Sequence, residues 1–363
     1  MVEAESKSPQ RASLNLYDEL LRLRDHQRQK QQQARSLVNG EDLPWEVNPQ
    51  GRMKWYLHPA IGDTVIQTLI IYLQEIPPGS SSGKQKTQGG TVIFVVEGKG
   101  HTVIDDAIHT WEKEDVVQIP IRHDGVFFQH FNDDTKEPAY LICAEPNLVN
   151  ALGVDRGSGF EQLADSPEFQ SGKTAAGFAR GEARAAARPA VIAQSLGQES
   201  HSHPHGSPAG NKEVDTYERV LELHKGQIRR GYEGKIVVRG KERPIEKSRQ
   251  GWLRYYLYGE LFPETALQEW GVFLHEIHAH TGKHSHQGGL AIFVLDGDGY
   301  TILEGQKLAW KKDDLLLLPI KPGGVEHQHF NNHPDKPARW LAFIYWPYNE
   351  AMAHYLEHQE NSK

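Results

Sequence analysis

Apolar residues recur at three- and four-residue steps over Leu14–Ser36 and again over Tyr217–Arg230, which predicts an amphipathic helix at the head of each half of the chain. After each helix the pattern changes to short β-rich runs broken by Gly, Pro and Asp, the mark of an antiparallel sandwich or barrel. Glu97–Gly100 and Asp296–Gly299 fall between such runs and are expected to be tight hairpin turns. No helix is predicted after either, so neither is a phosphate loop. Residues 165–212 are rich in Ala, Gly, Ser, Gln and Pro and are expected to form a linker, with a brief helix over Ala175–Ala190.

The pattern is written twice. Gln50–Leu57 recurs as Gln250–Leu257, and Gly90–Gly100 recurs as Gly289–Gly299. Trp111, Asp115, Pro120, Gly125, Gln129, His130, Phe131 and Asn132 return as Trp310, Asp314, Pro319, Gly324, Gln328, His329, Phe330 and Asn331. Identities held in register over such a length mark a duplicated domain rather than a short repeat. The expected organisation is a first domain over 1–164, the linker, and a second domain over 213–363; 363 residues also exceed what one ordinary core encloses.

Composition narrows the function. A net charge of −8 argues against a nucleic-acid or anionic-membrane partner, since phosphate binding needs clustered cations. No apolar run reaches the roughly 20 residues of a membrane helix, and Met1–Gln10 has no apolar signal core. With Cys143 as the single cysteine, placed on a β-run as core filler, no disulfide framework exists within the chain, and a cytoplasmic setting is expected. Twenty histidines are the compositional oddity, and many crowd into Leu274–His333. That bias points to metal chemistry.

The informative segments are Gly282–Gly289, containing His284-Ser285-His286-Gln287, and Glu326–Asn331, containing His327 and His329. On a strand, alternate side chains share a face, so His284 and His286 project together. A neighbouring strand carrying His327 would complete a facial set of three imidazoles suited to a first-row divalent metal. The first half acts as an internal control. Gln85 and Thr87 stand where His284 and His286 do, and Phe128 stands for His327, whereas His130 matches His329. Three proposed ligands vanish together while the second histidine persists, which selects His327 as the ligand and gives His329 a structural hydrogen bond.

These motifs resemble those of the cupin superfamily over both halves, the helical arms and linker lying outside. Gly282, His284, His286 and Gly297 match its first motif; Asp314, Pro319, Gly324, His327 and Asn331 match its second, with a few extra residues between Pro319 and His327. The resemblance implies an all-β bicupin of two jelly-roll (double-stranded β-helix) barrels. Metal-binding cupins often add a Glu ligand shortly after the His-x-His pair; Leu290 and Ala291 stand there and cannot coordinate. The pattern is therefore similar to the three-histidine ring-cleaving bicupins, the gentisate, salicylate and hydroxynaphthoate dioxygenases, although those usually hold their metal in the first cupin.

That resemblance implies an iron(II)-dependent extradiol-type dioxygenase acting with dioxygen on a hydroxylated aromatic acid or a similar small chelating substrate, with Mn2+, Zn2+ and Ni2+ as alternative metals. It also implies a homo-oligomer. A metal-dependent lyase, isomerase or β-diketone-cleaving cupin is the second expectation, and a non-enzymatic binding or storage bicupin the third. His329 and Gln287 are candidates to support catalysis beside the metal. Arg254, Tyr256 and Trp310 are candidates for substrate contact, Arg254 as a carboxylate clamp, with packing as the default reading for all three and for Tyr345. His275, His278 and His280 are expected in a solvated loop or at a pocket mouth, and His201, His203 and His205 in a flexible tether.

Overall fold

The computed structural model describes residues 15–155, 159–175, 215–321, 323–333, 335–351 and 356–363. Each half is a sandwich of one seven-stranded and one five-stranded sheet, antiparallel throughout, and hydrogen bonds do not close the described strands into one continuous barrel. In the second half the larger sheet runs, in order, through Leu315–Leu317, Ala291–Asp296, Ala338–Tyr345, Trp270–Ile277, Gly251–Tyr258 and Glu246–Ser248. The smaller sheet runs through Gln306–Lys311, Asp298–Leu303, Val325–Asn331, Lys283–His286 and Leu356–Glu360. The first half repeats this order strand for strand. Among the described residues no helix is long and apolar enough to cross a membrane.

The two larger sheets are buried on both faces, and period-two alternation sorts their side chains into two cores. Leu315, Leu317, Ala291, Phe293, Leu341, Phe343, Val272 and Leu274 face the other half, where they meet Ile71, Leu73, Val92, Phe94, Ile142 and Ala144. Leu316, Leu318, Ile292, Val294, Trp340, Ala342 and Ile277 face inward into the second sandwich. The shared core has an approximate twofold: Tyr56 meets Phe293 edge-on at 5.6 Å, and Tyr256 meets Phe94 edge-on at 5.7 Å. Such T-shaped pairs add to the stabilisation that burial itself gives.

The halves also exchange strands. Leu37–Val38, near the head of the chain, pairs with Leu315–Leu317 of the second half, and Val237–Val238 pairs with Val116–Ile119 of the first. Each crossing is fastened by a buried carboxylate: Asp314 accepts from the Gly40 amide and Asp115 from the Gly240 amide, both at 3.0 Å. Trp270 donates to the Gly90 carbonyl across the same boundary at 2.9 Å. The exchange covers edges of both larger sheets that would otherwise offer free backbone groups.

Several expectations need adjustment. Glu97–Gly100 and Asp296–Gly299, expected as tight hairpin turns, instead carry the chain from the larger sheet to the smaller, and their flanking strands do not pair. Residues 165–175, expected to open the linker, continue the first half: Ser166 is buried with its amide on the Pro49 carbonyl, and the helix Pro167–Ala175 packs on the strands around residues 46–57. The rest of the expected linker, with His201, His203 and His205, lies outside the described residues. The leading helices are Leu16–Gln33 and Thr216–Glu233, capped by Asn15 and Asp215. The first buries none of its residues and the second buries only Gly231. Cys143 is buried in the first half.

Gly40 sits where the crossing is tightest, since a Cβ there would lie 2.0 Å from the Asp313 carbonyl oxygen. Gly40→Ala is therefore expected to destabilise the whole chain by about 1–3 kcal/mol, read as a lower urea midpoint. An unchanged midpoint would mean that the exchanged segment contributes nothing to stability.

Candidate metal centre

His284 and His327 face each other directly across paired strands, His286 lying two residues on and opposite Val325. Directly opposed residues of an antiparallel pair share a face, so the three imidazoles converge. Their ring centroids stand 4.2 Å (His284–His327), 4.7 Å (His286–His327) and 5.4 Å (His284–His286) apart. One ring nitrogen from each lies within 4.8 Å of the others, and among the described residues no carboxylate or thiolate joins the group. Gly288, at φ 84°, lets the chain turn away immediately after His286, because a Cβ there would meet the Pro319 carbonyl at 1.9 Å.

Backbone contacts orient the rings. Nδ1 of His284 lies 3.0 Å from the Gly282 carbonyl, and Nδ1 of His327 lies 3.0 Å from the Val325 carbonyl. A carbonyl can only accept, so both rings carry their proton on Nδ1 and keep the Nε2 lone pair for a cation. His286 differs: its Nδ1 accepts from the Gly288 amide at 3.0 Å, which places its proton on Nε2. Coordination through Nδ1 would exchange this hydrogen bond for the metal, whereas coordination through Nε2 would need the proton to leave that nitrogen. Burial disfavours the charged form of all three rings. It lowers His284, pushes His286 down to about 3 with His284 adding to the effect, and holds His327 well below the usual histidine value. Three neutral, convergent nitrogen donors fit a first-row divalent metal.

The triad lies in the wall of a cavity of about 370 Å³, a usual size for a small-molecule site. Phe273, Trp340, Ile344, Trp346, Tyr255 and Tyr258 supply much of its apolar and aromatic wall. Gln287 and Asn349 add uncharged polar groups; Gln287 donates to the Asn349 side chain, which in turn donates to the Gly288 carbonyl at 2.8 Å. The first half keeps the frame and fills the hole. Phe128 opposes Gln85 at the register where His327 opposes His284, and Thr87 turns its hydroxyl back to accept from the Gly89 amide.

Residues 273–344 match the family model described as a cupin domain. Across the whole chain, a variant of salicylate 1,2-dioxygenase from Pseudoaminobacter salicylatoxidans superposes with a TM-score of 0.51 at 17% identity, covering 94% of this chain and 86% of that one. A variant of Bacillus subtilis oxalate decarboxylase superposes with a TM-score of 0.55 at 12% identity, covering 90% and 79%. The fold is that of a bicupin. In sequence, it is 28% identical over 101 residues to a 5-aminosalicylate 1,2-dioxygenase of Comamonas, covering 28% of this chain and 26% of the relative. It is 25% identical over 87 residues to a 1-hydroxy-2-naphthoate 1,2-dioxygenase of Nocardioides, covering 24% and 22%. The matches thus span about a quarter of the length of these relatives.

The bicupin brings together some of the expected site residues and disperses others. His329 lines the cavity, with its Nδ1 2.7 Å from the Thr301 hydroxyl, which accepts from Trp310 at 2.9 Å. His130, Thr102 and Trp111 repeat this chain in the first half. Trp310 is therefore a core residue holding Thr301, not a substrate contact. Arg254 and Tyr256 are corrected as well. Both lie on the outward face of their strand, where Arg254 pairs with Glu114 of the first half at 2.8 Å and Tyr256 packs on Phe94. Their inward neighbour Tyr255 reaches the cavity instead, and a bulge in the pairing after it returns Tyr258 to the same side.

His275 is not a loop residue. It sits mid-strand, buried in the cavity wall against Trp340, where the first half has Gln74. Burial, with His284 nearby, pushes it down to about 3. Alternation does not mark the inward side of this strand, because Val272 and Leu274 on its other face are apolar and buried too. His278 and His280 lie beyond the cavity lining, His280 against Phe330 and Gln328.

Replacing His327 by Phe, the residue of the first half, is expected to abolish uptake of one divalent ion per chain, measured calorimetrically with Co2+ or Zn2+. Retained stoichiometric uptake would exclude this triad as the site. A second expectation concerns acid. His275 and His286 are neutral in the fold, yet protonate near 6.5 once unfolded. Between pH about 6.5 and about 3 the unfolded chain thus binds more protons, and stability is lost as pH falls through that window. Each ring contributes up to about 1.4 kcal/mol per pH unit. Denaturation midpoints of the metal-free protein should decline from pH 7 to 4.5, less steeply in His275→Gln. Parallel profiles would show that His275 is not held neutral by the fold.

Proposed function

We propose that this bicupin is an iron(II)-dependent dioxygenase that opens the ring of a hydroxylated aromatic compound able to chelate the metal, such as a phenol with an ortho carboxylate or hydroxyl. The observation that carries the reading is the triad of neutral imidazoles, joined by no carboxylate among the described residues, set in a cavity walled by aromatic rings. The sequence relatives named for 5-aminosalicylate and 1-hydroxy-2-naphthoate dioxygenases support the same substrate class.

His284, His286 and His327 would hold iron(II), which when bound would supply chelation of the substrate and activation of dioxygen. The chain supplies the rest. Phe273, Trp340 and Trp346 offer flat apolar faces that bind and orient an aromatic ring. Leu290, Ile292 and Ile344 exclude water from the same space. Gln287 and Asn349 offer neutral hydrogen bonds to substrate oxygens. His329, neutral and tied to Thr301 through Nδ1, keeps Nε2 for a proton or a hydrogen bond at the cavity wall.

Anaerobic reconstitution with iron(II), followed by oxygen-uptake measurements over ortho-hydroxylated aromatic acids and diols, should show iron-dependent uptake with at least one of them. His327→Phe should lower the rate at least 100-fold. Absence of uptake with every chelating aromatic refutes the reading, and turnover without oxygen consumption would point to the lyase class instead.

A further inference from the structure

The cavity has an unusual charge inventory. Among the described residues that line it there is no Arg, Lys, Asp or Glu, and the polar groups other than histidine are the amides of Gln250, Gln287 and Asn349, the phenols of Tyr255 and Tyr258 and the indole N–H groups of Trp340 and Trp346. Residues 352–355, which precede the lining residue Leu356, are Met, Ala, His and Tyr and add no acid, Arg or Lys. Four cations of the segments around the cavity are paired with acids outside it. Arg254 and Arg339 share Glu114 across the boundary between the halves, Lys283 pairs with Glu326, and Lys321 pairs with Glu304.

We propose, resting on the reading above, that the substrate carries no charged group beyond the oxygen atoms that chelate the metal, the rest of it being an uncharged aromatic body. A carboxylate, sulfonate or phosphate placed away from the metal would be buried against Phe273, Trp340 and Trp346 with no counter-charge, and such burial is strongly unfavourable. An ammonium group fares no better. The aromatic faces could attract it, but it would share a small low-dielectric space with a divalent cation and meet no acid. A flat neutral body suits the walls, where Tyr255–Phe273 and Phe273–Trp340 already pack tilted or edge-to-face at 5.4 and 5.9 Å. The Nε1 of Trp340, buried and without a partner, is one more neutral donor in that wall.

The test uses the full-length protein loaded with Co2+ and a pair of probes that differ in one remote group: 4-methylcatechol and 3,4-dihydroxybenzoate. The visible cobalt spectrum reports chelation, quenching of tryptophan fluorescence reports entry of the ring, and both affinities are corrected for binding to free cobalt. 4-Methylcatechol should bind at least 30-fold tighter than 3,4-dihydroxybenzoate, and naphthalene-2,3-diol at least as tightly as 4-methylcatechol. Leu356 is exposed at the cavity rim, so L356R adds a cation there without disturbing the core. It should improve binding of the acid at least fivefold relative to that of 4-methylcatechol, narrowing the gap between the two probes. Equal or tighter binding of the acid by the unmodified chain overturns this inference and leaves the dioxygenase reading standing. Failure of L356R to narrow the gap overturns the charge explanation. A bound cobalt whose spectrum responds to neither diol removes the chelating reading itself, and this inference with it.

Discussion

The structure depends on the apolar contact between the two larger sheets. Each presents one face to the other half and one to its own interior, so its central strands are apolar on both sides, while the edge strands Glu46–Asn48 and Glu246–Ser248 stay polar and exposed. Burial of this kind is the dominant favourable term in folding, and here neither half supplies it alone. The exchanged strands at Leu37–Val38 and Val237–Val238 follow from the same constraint, because a sheet whose face is committed to a partner gains by committing its edge there too. Glu114 shows how far the commitment extends. Burial by itself would raise its carboxyl, yet Arg339 and Arg254 of the second half hold it below the ordinary value.

With the larger sheets fixed in this way, the smaller ones are free to differ. In both halves the turn glycines, the His–Thr–Trp chain and the Asn132 or Asn331 hydrogen bonds to strand-end carbonyls persist, because they set strand positions. The side chains that point into the sandwich are less constrained. In the first half Phe128 fills the space with carbon, and in the second His284, His286 and His327 leave it open. Neutral imidazoles are tolerated there because burial suppresses their protonation, which is also what a metal requires of them.

Much of this was legible in the sequence. The duplication, the β class and the triad could all be read, because repeats and the two-residue period of a strand act locally. The facing register of His284 and His327 follows from the same alternation once their strands are neighbours. What could not be read depends on relations between distant segments. Arg254 and Tyr256 resemble substrate contacts when their strand is considered alone; they face away because the other half covers that side, and no residue near them announces it. The exchange of Leu37–Val38 is likewise invisible, since two residues carry little pattern. His275 was missed for a different reason. It interrupts a run apolar on both faces, in which alternation gives no contrast between inside and outside.

The duplicated architecture also explains why charge could be removed so completely from the cavity. A polar sheet face must normally be reconciled with solvent, but the outward face of the larger second-half sheet lies against the first half. Its cations therefore find acids at that boundary, Arg254 and Arg339 on Glu114, instead of turning inward. The smaller sheet, open to solvent on its far side, sends Lys283 to Glu326 on that surface. Arg254, Arg339 and Lys283 thus have better partners than the cavity would offer, and the described lining is left to neutral rings, amides and apolar chains. A half without the histidine triad thus still shapes the other's interior, by drawing the charges of the shared boundary onto itself.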